Sequence, residues 1–336
     1  MNTKVKHTLF AVLLITLQYT GKAQVDPHFS QYYVYPMWLN PALTGSMEGN
    51  YRVTAIYRNQ WAGISNPFST AGLSADMSTS KNINLGVNIL DQTAGSVGYQ
   101  YLNGDISVSY SGVRFGAKGQ HHVSFALKGG LISRKIDPSK FQGTDQWTTG
   151  IGYNPTAGSG PEVLARTSST VFDAGAGVSY YDGSLNKKVN FFAGFSADHI
   201  TQPEDPFFNS GTKQKLPARY TLHGGARISL AGGSAFLVPN ALYMTQGNAT
   251  ETMLGAYFQL PAGGVTDVML GANYRFNDAV VPFAGIYYRQ LMIGLSYDVN
   301  ASTLGNYTTA NSFELSVTFM GGNRSENKAF FKCPRL

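Results

Sequence analysis

The chain has 336 residues, one cysteine and a formal net charge of +6. This small positive excess does not indicate a nucleic-acid-binding protein, and one cysteine excludes a framework of intrachain disulfides. Charged residues make up only 13% of the chain, against about 25% in soluble domains. The composition therefore favours a protein that exposes apolar side chains to something other than water.

The first residues have the three-part pattern of a secretory signal peptide. Residues 4–7 form a basic start, an apolar run follows over residues 9–17, and residues 21–23 supply a small-residue cleavage site. The apolar run is too short to cross a bilayer as a helix, and no cysteine lies nearby for lipid attachment. We therefore predict a signal peptide over residues 1–23 and an exported mature chain.

The next segment, residues 24–48, is apolar but irregular. Its central part, residues 29–45, reads FSQYYVYPMWLNPALTG and holds Pro36 and Pro41. Two prolines this close disfavour a regular helix or a central strand. The segment is also far richer in aromatic residues than an ordinary surface linker. We predict that it packs against the domain that follows it.

From residue 49 onward, apolar and polar side chains alternate. In residues 51–58 (YRVTAIYR), for example, the odd positions are apolar and Arg52 and Arg58 lie on the other parity, so a strand here has one apolar and one polar face. Most such segments are 9–13 residues long, whereas a tilted membrane strand needs about 9–11. About fourteen strands are predicted, at residues 49–60, 67–78, 82–91, 98–112, 121–133, 169–182, 187–199, 218–231, 234–245, 249–260, 266–277, 279–289, 291–300 and 311–319.

The polar faces of these strands carry charges, which a dry core between two sheets would not tolerate. A polar barrel interior does tolerate them. The sequence therefore predicts an all-β fold, a transmembrane antiparallel β-barrel of about fourteen strands over residues 49–319. Whether the charges only pair with one another or shape a binding or conducting path is left open. The predicted lumen charges are Arg52, Asp76, Lys128, Asp173, Asp198, Arg227, Asp267 and Arg275.

The connections between the predicted strands give the barrel an orientation. With strand one starting in the periplasm, the two longest connections, residues 134–168 and 200–217, lie outside, and most inner turns are short. Long outer loops and short periplasmic turns are typical of outer-membrane barrels. We therefore expect a multi-pass protein of the cell outer membrane, with a periplasmic N-terminus and a periplasmic C-terminal tail at residues 320–336.

No pattern of residues indicates an enzyme. The chain lacks the nucleophile-elbow, zinc-protease and redox motifs. His121 and His122 are adjacent, so on a strand they face opposite ways and cannot jointly bind a metal. We expect no catalytic activity and no cofactor or metal, although barrel hydrolases exist.

Three stretches carry a resemblance to a known family, the PorP/SprF outer-membrane proteins. The first is an Asp-Pro-x-Phe-Ser-Gln-Tyr segment that leads to Leu-Asn-Pro-Ala-x-x-Gly, and the second is Tyr-Arg-Asn-Gln-Trp at the end of strand one. The third comprises the sequence 297–300 (YDVN) and the Cys-Pro-Arg ending at residues 333–335. The motif residues are Asp26, Pro27, Phe29, Ser30, Gln31, Tyr32, Leu39, Asn40, Pro41, Ala42, Gly45, Tyr57, Arg58, Asn59, Gln60 and Trp61.

The resemblance implies a component of the type IX secretion system and its gliding machinery in Bacteroidota. Such a protein would support the export and surface anchoring of a large adhesin-like protein through the adhesin's C-terminal sorting domain. Its expected partners are outer-membrane lipid, the secreted protein and other secretion or gliding subunits, with no role for nucleic acid. The alternative is an outer-membrane channel for a small solute.

Two parts of the chain are candidates for binding within this framework. The N-terminal segment is expected to plug the periplasmic mouth or the lower lumen, because its aromatic side chains are costly to leave in water; lying along the lower rim is the alternative. The long connections offer aromatic residues suited to a protein interface, or they fold over the barrel mouth. These loop candidates are Trp147, Tyr153, Phe207 and Phe208. The roles of Cys333 and the tail stay open.

Overall fold

The computed structural model describes residues 26–61, 67–79, 81–95, 98–137, 140, 146–150, 152–154, 167–185, 187–204, 215–263, 265–302 and 311–322. The predicted signal peptide, Phe207 and Phe208, and the tail beyond residue 322 with Cys333 lie outside these residues.

Fourteen antiparallel strands close into one barrel, which confirms the predicted fold class. Each predicted segment overlaps one wall strand. Two further short strands, β6 and β7, pair only with each other. The strands are β1 (Tyr51–Gln60), β2 (Phe68–Ser78), β3 (Ile83–Ala94), β4 (Tyr99–Phe115), β5 (His121–Lys135), β6 (Trp147–Thr148), β7 (Gly152–Tyr153), β8 (Ser168–Asp182), β9 (Val189–Asp198), β10 (Arg219–Leu230), β11 (Ala235–Gln246), β12 (Ala249–Pro261), β13 (Thr266–Arg275), β14 (Ala279–Tyr288), β15 (Leu291–Asn300) and β16 (Ser312–Gly321).

Neighbours in the chain are neighbours in the wall, and β1 closes the ring by pairing with β16 from Tyr51↔Gly321 to Asn59↔Phe313. Closure leaves no free sheet edge along this seam, so the backbone groups of both strands are hydrogen-bonded.

The wall has an apolar outer face and a polar inner face. In β1, for example, alternate residues are exposed and buried, with Val53 outside and Arg52 inside. Leu127 is 68% exposed and Phe172 is 61% exposed, although both are large and apolar. This arrangement inverts that of a water-soluble protein and is typical of a barrel that faces lipid. Among the described residues, no helix is long and apolar enough to cross a membrane.

The helices in the described part of the chain are single turns. Helix α1 (Pro36–Leu39) and a 3-10 helix at Pro41–Leu43 both begin with proline, which suits a first helical position because its missing N–H needs no partner there. Between them, the Asn40 side chain accepts a hydrogen bond from the Ala42 N–H at 2.9 Å and caps the second helix. A third turn of 3-10 type spans Ala231–Gly233.

Candidate functional site

Residues 26–48, here called the lumen segment, lie inside the barrel. Every residue from Asp26 to Thr44 is buried, and the contacts of the segment are with the inward faces of the wall strands. We call the end of the barrel where β1 begins and β16 finishes the near end, and the opposite end the far end.

The lumen segment runs the length of the barrel. Asp26 contacts His199, the residue that follows β9 at the far end, with 2.6 Å between Asp26 Oδ2 and His199 Nε2. At the near end, Arg52 donates hydrogen bonds to the carbonyls of Leu43 and Ser46. The sequence analysis placed the segment at the mouth or in the lower lumen, or along the rim. The structure places it within the lumen and extends it further, so that its first residues lie at the opposite end of the strands.

Ser30 and Gln31 form the most connected part of the lumen segment. Their backbone N–H groups donate to the two carboxylate oxygens of Glu314, at 2.5 and 2.8 Å. The Ser30 hydroxyl donates to Asp298 at 2.8 Å and accepts from the guanidinium groups of Arg58 and Arg275, at 2.8 Å each. One hydroxyl group thus uses its donor and both lone pairs.

The arginines complete this cluster from the wall. Arg58 pairs with Asp298 at 3.0 Å and with Glu314 at 2.5 Å, and Arg275 pairs with Asp298 at 2.6 Å. All four charged side chains are at least 96% buried. Because a buried charge is costly unless it is paired and hydrogen-bonded, the cluster is stable only as a complete set. Three stretches singled out in the sequence meet here, namely the first motif, the strand-one motif and the YDVN stretch.

A second ionic cluster holds the start of the lumen segment at the far end. His199 lies between Asp26 and Asp173, with its other ring nitrogen 2.9 Å from Asp173 Oδ2. Burial opposes the charged imidazolium, but the two carboxylates outweigh it and raise the pKa of His199 to about 9. His199 is therefore a cation at neutral pH and joins the two acids.

Arg219, at the start of β10, extends this cluster. Its guanidinium contacts Asp26 at 3.2 Å and Asp198 at 2.8 Å, and Asp198 also pairs with Lys128 at 2.7 Å. Trp38 of the lumen segment lies against these cations, with the Arg219 guanidinium 4.5 Å and the Lys128 ammonium 5.4 Å from its ring centre. Cation–π contacts of this kind strengthen when water is excluded.

Asn40 fixes the middle of the lumen segment to two strands. Its amide donates to the carbonyl oxygens of Val178 and Phe195, at 3.0 and 3.3 Å. The close approach requires glycine in the wall, because a methyl group at Gly177 would overlap the Asn40 side chain and one at Gly194 would lie 2.7 Å from its nitrogen. At Gly177 the crowding group is therefore the lumen segment.

Aromatic side chains of the lumen segment pack against the wall between the ionic clusters. The Tyr32 hydroxyl donates to Asn240 at 2.7 Å, and the Tyr35 hydroxyl donates to the Ile89 carbonyl at 2.9 Å. Tyr33 packs with its ring centre 5.6 Å from those of Tyr257 and Phe283. Each tyrosine places its ring in an apolar cluster, and the hydroxyl groups of Tyr32 and Tyr35 reach polar wall groups, as buried tyrosines require.

At the near end, Arg52 and Asp76 form a bidentate ion pair. Arg52 Nε donates to Asp76 Oδ1 at 2.9 Å, and Arg52 Nη2 donates to Asp76 Oδ2 at 2.8 Å. Asp76 also accepts the backbone N–H of Gly45 at 2.7 Å. Gly45 has a φ of +77°, a left-handed conformation that glycine adopts without strain. The turn into β1 is thus fastened to the wall just before the chain joins it.

The other predicted lumen charges have separate partners. Asp267 accepts a hydrogen bond from Gln259 at 2.8 Å. Arg227 is only half-buried and lies over the Phe236 ring, 3.3 Å from the ring centre. The structure brings Lys128, Asp173 and Asp198 together in the far-end cluster, whereas Arg52 with Asp76, Arg227 and Asp267 lie elsewhere in the lumen.

The remaining motif residues have different positions. Tyr57 points outward and accepts a hydrogen bond from Ser69 at 3.0 Å, whereas Gln60 is buried and Asn59 half-buried. Trp61 sits at the far end with its ring against Phe68, 5.3 Å between centres. The Pro27 carbonyl accepts the Trp38 indole N–H at 3.0 Å, and the Phe29 ring contacts Tyr35.

A cavity of about 180 Å³ lies beside the start of the lumen segment at the far end. It is bounded by Asp26 and His28 of the segment and by wall residues that include Arg219, Glu251 and Arg275. A second, smaller space borders the segment itself, along Phe29, Tyr32 and Trp38. Both spaces end on the lumen segment.

The far-end loop candidates that the structure describes form a small hairpin. Trp147 of β6 pairs with Tyr153 of β7, their ring centres are 5.7 Å apart, and Trp147 is 58% exposed. Exposed aromatic pairs of this kind are common at the centre of protein interfaces.

The sequence analysis did not predict four residues of the ionic clusters as inward charges: Glu314, Asp298, Arg219 and His199. Of these, only Asp298 was noted, as part of the YDVN stretch. Asp298, Arg219 and Glu314 occupy the polar parity of predicted strands, so the same inward-charge rule would have found them. His199 lies just beyond a strand end with a φ of +55°, and no periodicity marks such a position.

Comparisons with known proteins agree on the class of molecule. A family model described as type IX secretion system membrane protein PorP/SprF matches residues 21–319. No curated protein matches the chain. The match to the family model confirms the resemblance that the three motifs indicate.

Among solved structures, the CymD monoaromatic hydrocarbon channel is similar at 10% identity, with 90% of this chain and 97% of that chain covered and a TM-score of 0.51. The Ralstonia pickettii toluene transporter TbuX is similar at 9% identity, with coverage of 85% and 91% and a TM-score of 0.47. At these identities the likeness to CymD shows the barrel fold alone, and the likeness to TbuX supports no further conclusion.

Proposed function

The chain belongs to the PorP/SprF family of type IX secretion system membrane proteins, and we propose that it serves there as a docking component for secreted cargo. It is an outer-membrane barrel of that system. In the proposed role it supports export and surface anchoring of a large adhesin-like protein through that protein's C-terminal sorting domain. The family's gliding machinery is the proposed setting, and the role requires no catalysis by the barrel itself.

The observation that carries the proposal is the filled lumen. The segment 26–48 occupies the interior from the far end to the near end, and it is hydrogen-bonded to many of the wall strands. A polypeptide cannot pass through this space while the segment is in place. The surfaces available to cargo are therefore the ends of the barrel, which favours docking over conduction.

The far end is the proposed outer side. The connections there include residues 136–167 and 199–218, whereas those at the near end run only from two to six residues, as at 79–82 and 289–290. This asymmetry is typical of outer-membrane barrels. The C-terminal strand then finishes in the periplasm, and the long outer connections face the cargo. Asp26 lies at the far end, so in this proposal the start of the lumen segment faces outward. This differs from the periplasmic N-terminus expected from the sequence.

The aromatic hairpin of Trp147 and Tyr153 is the proposed contact for the sorting domain. A candidate sorting domain fused to a soluble reporter, added to the purified barrel, tests this directly. We expect capture by the wild-type barrel and a loss of at least tenfold with Trp147→Ala/Tyr153→Ala, since interface hot spots contribute about 2 kcal/mol or more. Lys140→Ala, an exposed change in the same connection, is the control. Equal capture by all three proteins would contradict the docking proposal.

The alternative is a channel for a small solute. It is favoured by the cavity of about 180 Å³ at the far end, but it requires the lumen segment to leave its place. Planar-bilayer conductance separates the two functions, because a docking barrel stays closed with the segment present. Solute-dependent current through the unmodified protein would favour the channel.

A further inference from the structure

One side of the near end carries a concentrated positive charge. Lys81 lies between β2 and β3, Arg114 and Lys118 lie at the β4–β5 hairpin, and Lys187 and Lys188 lie between β8 and β9. All five side chains are exposed. The three connections are successive around the barrel, because the wall order runs β2, β3, β4, β5, β8, β9.

Direct contacts join these connections into one surface. Arg114 donates to the Asn82 side chain at 3.2 Å, and the Gly183 backbone N–H donates to the Gln120 carbonyl at 2.8 Å. The nearest acid, Asp182, is buried and accepts from Lys187 at 2.7 Å. By sequence, the three connections contain no other Asp or Glu. We call the five cations and their connections the basic patch.

The positive charge is concentrated on this side. Elsewhere at the near end, residues 231–234 and 262–265 carry no charged side chain, and residues 289–290 carry one exposed cation, Arg289. At the far end, charges of both signs occur together, as in the Lys140–Asp137 ion pair at 3.8 Å. The basic patch is thus a local feature and not the general excess of the chain.

An apolar strip runs directly into the basic patch from the lipid-facing wall. Along β4 the exposed residues are Ile106, Val108 and Tyr110, and beyond a β-bulge they are Val113 and Phe115. The bulge inserts one residue, which reverses the parity, so Val113 and Phe115 still point outward. The lipid-facing row therefore continues without interruption to the level of the cations.

Stacked rings strengthen this strip at its end. The rings of Phe115, His121 and Tyr180 cluster together, with the His121 ring centre 5.1 Å from that of Phe115 and 6.0 Å from that of Tyr180. His121 Nδ1 is also 2.8 Å from the Tyr180 hydroxyl. Aromatic rings beside exposed Lys and Arg are the arrangement found where a membrane protein meets the headgroup region.

We propose that the basic patch binds the headgroups of anionic phospholipids in the leaflet at the near end. The apolar strip contacts the acyl chains at the interface, and the four lysines of the basic patch contact the phosphate groups immediately beyond it. Arg114, on the inward parity between Val113 and Phe115, supports the patch through its contact with Asn82. Juxtamembrane cations attract anionic lipid by about 1 kcal/mol each, roughly fivefold in binding. The continuity of the strip with the lipid-facing wall favours lipid over an acidic protein as the occupant.

The test compares lipid selectivity in reconstituted vesicles. Electron spin resonance with spin-labelled phosphatidylglycerol or phosphatidylcholine measures the association of each lipid with the protein. We expect the wild type to prefer phosphatidylglycerol by about two- to fivefold, as an average over the whole boundary layer. The preference should fall when salt is raised from 0.1 M to 1 M, because the Debye length shrinks from about 10 Å to 3 Å.

Two matched variants locate the effect. Lys81→Gln/Arg114→Gln/Lys118→Gln/Lys188→Gln removes four of the five cations of the basic patch but keeps the Lys187–Asp182 pair, and should abolish most of the preference. Lys135→Gln/Lys140→Gln/Lys215→Gln/Arg289→Gln removes four exposed cations elsewhere and should preserve it. Equal affinity of the wild type for both lipids, or equal losses in both variants, would overturn the proposal. The proposal would also be overturned if the patch variant kept the lipid preference of the wild type but lost an acidic protein that co-purifies with the wild type. If the patch variant fails to fold, the salt series on the wild type decides.

Discussion

Replacing Arg58 by methionine tests whether the Ser30 cluster holds the lumen segment in the barrel. The Arg58 side chain is 1% exposed and contacts Asp298 at 3.0 Å, Glu314 at 2.5 Å and Ser30 at 2.8 Å. Its loss leaves two buried carboxylates with Arg275 as the remaining arginine of the cluster. Removing one partner of a buried ion pair costs about 3–5 kcal/mol, so Arg58→Met should destabilise the protein by that amount.

The assay is urea unfolding in lipid vesicles, combined with planar-bilayer conductance. The lost stability should be measured either as unfolding at a lower urea concentration or, if the barrel wall stays folded, as release of the lumen segment and a rise in ion current. The double variant Arg58→Met/Glu314→Gln removes charge of both signs and should recover part of the loss. Arg289→Met, at an exposed arginine, should lie within about 0.5 kcal/mol of wild type. If Arg58→Met matches wild type in both stability and conductance, the cluster does not hold the segment.

Three further outcomes are expected. Gly177→Ala should loosen the lumen segment and lower the free energy of unfolding by about 1–3 kcal/mol, because the added methyl group overpacks against Asn40. The control is Gly104→Ala, which should be near neutral because an added methyl group there meets nothing within 4 Å. Equal effects of the two changes would contradict the close approach of Asn40 to the wall. The pKa of His199 is raised from 6.5 to about 9 on folding, so protonated His199 stabilises the fold by about 3 kcal/mol. This contribution is complete below pH 6.5 and is lost as the pH rises through 9. In His199→Gln the decline in stability between pH 6.5 and 9.5 should disappear, and an unchanged decline would refute the assignment. Deletion of residues 26–45 should open the barrel to ions in planar bilayers, and a conductance equal to that of the full chain would show that the segment does not close the lumen.

The wall could be predicted from the sequence because strand periodicity is local. A charge such as Arg52 or Asp76 on the parity opposite to Val53 or Leu73 marks the inside of a barrel without knowledge of any partner. The same rule extends to Arg219, Asp298 and Glu314. Prediction of the barrel and its orientation therefore needed only the alternation of apolar and polar residues, the length of the strands, and the difference in length between the connections at the two ends.

The path of the lumen segment could not be predicted in the same way. Its contacts join residues far apart in the chain, such as Ser30 and Asp298, which are 268 positions apart. The aromatic content showed that the segment must be buried, but not how deeply. Its direction depends on which of several inward charges pairs with Asp26, and His199 fulfils that role from outside any periodic element.

The most direct test of the whole account asks on which side of the membrane each end of the lumen segment lies. One epitope tag is inserted between Val25 and Asp26, and a second, in a separate protein, between Gly232 and Gly233 at the near end. On intact cells that carry a folded barrel, antibody should label the first tag, and the second only after permeabilisation. Labelling of both tags from the same side would contradict a segment that spans the barrel.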